Sequence, residues 1–195
     1  MNRIRLACLA GLLGIGAFAS QAQTPAPQPT HKFAQIAPGI YSAIGSGAPN
    51  VGSNSAVIVN QDDVLVVDSH ISPEAARVLL KELKTLTDKP VRFLVNTHFH
   101  YDHASGNQVF GPPVEIIGHE FTRRKLTAEI LQKGMFAELL AGMPKQVEDL
   151  KARVAAESDA SAKARLEQQL RGQQTFSQQI SETRPTPPTS RWTIG

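Results

Sequence analysis

The sequence predicts an α/β layered domain with its chemistry at the C-terminal end of a strand. Three observations carry that expectation. Short apolar runs rich in Val and Ile recur between residues 33 and 117. One capped amphipathic helix separates two of them, giving a strand, helix, strand, loop, strand order. Four metal-ligand-type side chains crowd into His98-Phe99-His100-Tyr101-Asp102-His103, directly after the run Val91 to Val95.

The chain has 195 residues, 41% hydrophobic and 19% charged, which suits one globular domain and argues against two full ones. The net charge of +3 comes from interleaved signs, without a dense Lys/Arg run, so nothing electrostatic points to nucleic acid. A small-molecule substrate is the expected partner.

The first 22 residues read as a secretory signal peptide. Arg3 and Arg5 supply the positive start, Leu6 to Ala19 the apolar stretch, and Ser20-Gln21-Ala22 the small residues of a cleavage site. The competing reading is an uncleaved anchor, but the apolar run falls short of the ~20 residues a spanning helix needs. The expectation is therefore an exported protein, periplasmic or secreted, with no stable membrane insertion after cleavage. Residues 23–32 read as a flexible, proline-bearing leader, with His31 in it and without a role. Cys8 is the single cysteine and lies in the signal, so a metal in the mature chain must be held by His and carboxylate.

Residues 33–120 form the αβ unit. Two short strands flank Pro38-Gly39, and Gly45 to Asn54 is a loop of small and polar residues. Ser55 to Asn60 and Val64 to Val67 form a hairpin across Gln61-Asp62-Asp63, and Asp68-Ser69-His70 follows at the strand end. Ser72 caps a helix beginning at Pro73, with Leu79, Leu83 and Leu86 on one face. After the strand Val91 to Val95 and the ligand-rich loop come a short helix around Ser105 to Val109 and a strand from Val114 to Ile117. Residues 121–183 have long helical periodicity. They are a helical insertion that packs as a solvated pair or closes as a lid over a cleft. Leu139, Leu140, Met143, Val147 and Leu150 mark one face, Leu166 and Leu170 another. Residues 184–195 carry three prolines and then the opening of a strand.

Neutral imidazole and carboxylate are zinc ligands. His98 and His100 are two apart, so an extended backbone throws both to one side. Asp102 and His103 follow, and a bend there turns them toward a second nearby point. The loop can thus serve two adjacent metals with two ligands each. Three of the six histidines lie in it. His70 and His119, each at a strand end, are weaker candidates.

The stretch His98-x-His100-x-Asp102-His103 after a strand, preceded by the Ser55 to Val67 hairpin, Asp68 and an Ala/Leu helix, resembles the signature of the metallo-beta-lactamase superfamily. The resemblance covers roughly Phe33 to Glu120. It implies a four-layered αβ/βα sandwich with metals at one edge, of which this chain holds the first half plus a helical extension. It also implies a hydrolase acting on an ester, lactam, thioester or phosphoester through two zinc ions. In that pattern His98 and His100 bind the first zinc, Asp102 and His103 the second, and Asp68 supports a ligand from behind. Asp102 would in addition be catalytic, orienting the nucleophile or shuttling a proton.

The pattern's later ligands do not follow. No histidine occurs after His119, and the later aspartates are Asp149 and Asp159, both in the helical stretch. A catalytic zinc takes three protein ligands and a water. The chain accordingly reads as the N-terminal portion of a longer hydrolase. The alternatives are a metal-binding protein without turnover and a helical interaction module, both derived from the same fold.

Overall fold

Strands that follow one another in the sequence lie side by side in the structure. The protein is described by a computed structural model covering residues 29–46 and 49–192. The signal peptide, most of the leader and residues 193–195 lie outside the described residues. Seven strands form one sheet in sequence order: β1 (His31–Ala37), β2 (Ile40–Gly45), β3 (Ser55–Val59), β4 (Val64–Val67), β5 (Val91–Asn96), β6 (Glu115–His119) and β7 (Ser190–Trp192). The first four pair antiparallel, β1–β2 and β3–β4 through short turns and β2–β3 through a longer loop. The pairs β4–β5, β5–β6 and β6–β7 are parallel, and each needs a crossover segment. The result is a mixed α+β sheet whose parallel strands end on one edge.

The first crossover is α1 (Pro73–Leu83). Ser72 caps it, its side chain accepting from the Ala75 N–H, and Pro73 opens it with its fixed φ. Ala76, Leu79 and Leu83 pack on Val57, Val64, Val66, Leu94 and Ile116, which form one face of the sheet. Leu86 falls beyond the helix, because the chain turns off at Lys84. The opposite face is apolar as well: Ile58, Leu65, Val67, Phe93, Val95 and Ile117 alternate with the core residues and are half-buried.

Two expectations shift in detail. A short helix, α2 (Tyr101–Ala104), begins inside the ligand-rich loop, and a 3₁₀ turn occupies Asn107–Val109. The His100 carbonyl accepts from both the His103 and Ala104 N–H groups, so the helix nucleates four residues earlier than the apolar pattern suggests. The helical stretch resolves into α3 (Glu120–Lys125), a 3₁₀ turn (Ala128–Leu131), α4 (Met135–Ala156) and α5 (Ala160–Ser181). The last two form a hairpin through the half-buried Leu139, Leu140, Val147, Leu150, Leu166 and Leu170, with Met143 buried. Gln173 donates across it to Gln146 at 2.8 Å. Its base is fixed by Ile180, which is fully buried, while residues 151–161 at its turn are exposed or half-buried. No helix among the described residues is long and apolar enough to cross a membrane.

The leader boundary needs correction. His31 and Lys32 belong to β1, and His31 is buried rather than idle. Its Nδ1 lies 2.7 Å from Glu82 Oε2; a carboxylate only accepts, so this nitrogen carries the hydrogen. Glu82 also accepts from the Thr30 and His31 backbone N–H groups at 2.7 and 2.9 Å. On the other side, His31 Nε2 lies 3.0 Å from His70 Nε2, the two rings stacked. A polar knot thus ties β1, α1 and the end of β4 beneath the sheet edge. Its members lie decades apart in the sequence, so no local pattern announces it.

Two predictions follow from this packing. A Cβ at Gly106 would sit 2.0 Å from the Ser69 carbonyl oxygen and 2.5 Å from Ala76 Cβ, both hard to move. Gly106→Ala should cost about 1–3 kcal/mol in urea unfolding, the range for overpacking a tight site. Gly111→Ala, with open space around it, should change little. The second concerns acid. Burial, and then the neighbouring His31, push the His70 pKa down to about 3, with the Ser53 backbone opposing; Nδ1 nevertheless has no partner that meets hydrogen-bond geometry. Between roughly pH 3 and 6.5 the unfolded chain therefore binds a proton that the folded chain refuses. Stability should be full above pH 6.5 and fall as pH drops through that window. Asn tolerates the left-handed backbone at this position, so His70→Asn should flatten the slope of denaturation midpoint against pH. An unchanged slope would refute the assignment.

Candidate metal centre

Three adjacent strands end on the same edge of the sheet, and each hands over a candidate residue: Asp68 after β4, His98 after β5 and His119 on the last position of β6. Asp68 and His70 both adopt left-handed backbone, with φ of 63° and 69°. Such conformations cost about 1–3 kcal/mol each and persist where the surroundings over-determine them. Here they do: the Asp68 N–H donates to the Val95 carbonyl, the Ser69 N–H to the His103 carbonyl, and the Ile71 N–H to the Val51 carbonyl. The β4 exit is thereby sewn to β5, to α2 and to the β2–β3 loop.

The buried Asp68 carboxylate then organises the ligand-rich loop. It accepts from the Thr97 N–H at 2.9 Å, from the Thr97 hydroxyl at 2.7 Å and from His103 Nδ1 at 2.8 Å. With Nδ1 donating, a neutral His103 keeps its lone pair on Nε2. His98 follows the same logic. Its Nδ1 lies 3.0 Å from the Thr97 hydroxyl, which has already spent its proton on Asp68, so His98 Nδ1 donates and Nε2 stays open. This is the carboxylate-behind-histidine arrangement that orients metal ligands. The ring of His98 is 4.6 Å from that of His100 and 4.2 Å from that of His103. Burial first, then these two neighbours, lower the His98 pKa against the pull of Asp68 and Asp102, which favours the neutral, ligating form.

Asp102 lies on α2, half-buried, with Oδ2 3.3 Å from His103 Nε2. Its backbone carbonyl accepts from the Ser53 hydroxyl at 2.6 Å. Gly52, at φ 73°, lets the β2–β3 loop come this close: a Cβ there would meet Ile71 at 2.7 Å and Asp102 Cβ at 3.2 Å. Below the loop, Asn107 is buried and shares hydrogen bonds with Asn96, with Ser69 and with the Thr186 carbonyl.

The structure therefore brings His98, His100, Asp102, His103 and Asp68 together. It treats His119 differently: Nδ1 accepts from the Phe121 N–H and so caps α3, and the ring meets Trp192 edge-on. His70 faces His31 and Ser55 beneath the edge. Thr97, Ser53, Ser69 and Asn107 escaped sequence reasoning. Only Thr97 carries a usable signal, a hydroxyl between the strand and the first histidine. The donor chemistry fits zinc, in neutral imidazole nitrogens and a carboxylate oxygen. The fit is partial, because no three His, Cys, Asp or Glu side chains converge on one cation position among the described residues.

Comparison with known proteins agrees with the loop. The model of the metallo-beta-lactamase superfamily matches residues 48–119. A linear primary-alkylsulfatase from a Pseudomonas species is 37% identical over 49 residues, which is 25% of this chain and 9% of that protein. A metallo-beta-lactamase from Pseudomonas aeruginosa, solved in its mono-zinc form, is similar at 20% identity over 48% of this chain and 44% of its own, with a TM-score of 0.43. A metallo-beta-lactamase from Erythrobacter litoralis is similar at 24% identity over 51% of this chain and 46% of its own, with a TM-score of 0.44. The chain thus spans less than half the length of each of these relatives. Hairpin, strand-end aspartate, helix and histidine loop all fall inside residues 48–119, the segment that matches the metallo-beta-lactamase superfamily model.

Proposed function

We propose that this chain carries the first half of a zinc-dependent hydrolase site, which acts on an ester, lactam, thioester or phosphoester and is completed by ligands outside the described residues. The observation that carries it is the Asp68 network. It leaves the Nε2 atoms of His98 and His103 unprotonated and directed by fixed Nδ1 bonds. His98 and His100 would hold one zinc, Asp102 and His103 a second. Bound there, zinc supplies Lewis acidity and a water activated for attack near neutral pH.

The chain's own residues do the remainder. Asp68 and Thr97 fix the two imidazoles and their tautomers. Asp102 Oδ2, within reach of His103 Nε2 and partly exposed to solvent, is the group to take and return the proton of an attacking water. The ligand count supports the reading of an N-terminal portion of a longer hydrolase, since two per metal falls below the usual three. So does the second apolar sheet face, because a sheet that is apolar on both sides is normally covered on both. The N-terminal Arg3, Arg5 and Leu6 to Ala19 stretch supports export to the periplasm or beyond. The alkylsulfatase's name keeps a sulfate ester among the substrates to try.

Titration of the metal-stripped chain with zinc, followed by calorimetry and elemental analysis, tests this. Zinc should bind. His98→Ala and His103→Ala should each abolish or strongly weaken uptake, and Asp68→Ala should lower affinity about 10–100-fold, as loss of an orienting carboxylate does. Uptake unaffected by all three variants would sink the reading. Zinc uptake together with chelator-sensitive hydrolysis of an ester supports the hydrolase. Uptake without turnover, including in a version extended past Gly195, would instead assign a metal-binding protein.

A further inference from the structure

A cavity of about 470 Å³ opens beside the histidine loop, on the side of the helical segment. That volume lies within the roughly 300–1,000 Å³ of small-molecule sites. The loop supplies Phe99, His100 and Tyr101 to its wall, and the segment after α3 supplies Ile130, Met135 and Phe136. The wall is mostly apolar and aromatic. Phe136 is buried and stacks on Tyr101 at 5.1 Å between ring centroids, which gives the cavity a packed aromatic floor. Gly134, at φ 84°, turns the chain so that α4 starts over the loop.

The polar part of the wall is cationic on balance. Lys125 and Lys133 face one carboxylate, Glu129. Lys133 is ion-paired with Glu129. Lys125 Nζ lies 5.4 Å above the Phe121 ring, held near the cavity by a contact that leaves its charge intact. Ile130, Met135, Phe136 and both lysines fall outside the segment matched to the superfamily, which ends at residue 119.

We propose that this cavity binds the apolar chain of an anionic amphiphile, with Ile130, Met135 and Phe136 around the chain and Lys125 on the anionic group. On the hydrolase reading above, on which its role in substrate choice rests, it selects substrates whose apolar part extends from the reacting bond toward α4. Excess positive charge at an apolar cavity fits a carboxylate or sulfate on an alkyl or aryl group. It does not suit a neutral sugar or a cation.

Binding to the metal-stripped 195-residue chain tests this without any catalytic step. Calorimetric titrations compare octanoate, butyrate and octanol, all below aggregation. Octanoate should bind at least about tenfold more tightly than butyrate, since four further methylenes leave water. Ile130→Glu should weaken octanoate about tenfold or more, through a charge buried in the apolar wall. Lys125→Gln is exposed and should fold regardless. It should weaken octanoate about three- to tenfold and leave octanol within about twofold, as loss of a partly screened ion pair does. Octanoate binding no tighter than butyrate would overturn the proposal. So would equal losses for octanoate and octanol in Lys125→Gln. Zinc uptake is read separately, so a failed cavity leaves the hydrolase reading standing, and failed zinc uptake leaves the cavity result intact.

Discussion

The carboxylate of Asp68 is the contact on which the site depends. It lies at the end of β4 on a left-handed backbone, buried, and it accepts three hydrogen bonds from β5's exit and from the loop. A buried carboxylate with fewer donors would be costly. With three, it fixes Thr97 and His103 and, through the Thr97 hydroxyl, His98. The strained backbone and the buried charge are separately unfavourable. Together they place one acceptor where two strands and a helix meet, and the histidine loop takes its shape from that point.

Much of this was legible because the candidate ligands are neighbours in the chain. His98, His100, Asp102 and His103 span six positions, and a strand that ends just before them has to deliver them to a sheet edge. Ser72 and Pro73 marked the helix start through local capping chemistry alone. What stayed hidden depends on distant pairings. His31 and Glu82 are 51 positions apart, and Thr-His-Lys after a run of prolines reads as leader until β2 pairs with it. Asn107 looks like a turn residue, yet it is buried because Asn96, Ser69 and Thr186 converge on it from three separate segments. His119 had the right address, a strand end, but its nitrogen serves the first turn of α3. Address alone does not separate a ligand from a cap.

The helical segment shows the same limit. Its periodicity predicted helices, and α4 and α5 are there, but periodicity says nothing about where the hairpin attaches. Attachment is decided at two ends: Phe136 on Tyr101 beside the loop, and Ile180 with Glu182 beside α1, where Glu182 approaches Arg77 at 3.8 Å. Tyr101 is the first residue of α2, and Asp102 the second. The aromatic stack therefore bears on the same short helix that carries a candidate ligand, and packing of the insertion and orientation of Asp102 are mechanically joined.

The two faces of the sheet bring stability and site together. One is closed by α1 over Val57, Val66, Leu94 and Ile116; the other presents Ile58, Leu65, Val67, Phe93, Val95 and Ile117 half-buried. Fully burying a side chain of this kind contributes about 1.5–3 kcal/mol relative to full exposure, and these half-buried residues have part of that still to gain. Six of them give a covering layer a large hydrophobic reason to dock. The proposed completion of the ligand set asks for residues at the edge where these same strands end. A layer packed on that face would emerge beside His98 and His103, so the contact that stabilises the sheet and the contact that closes the metal shell would be made by one docking event.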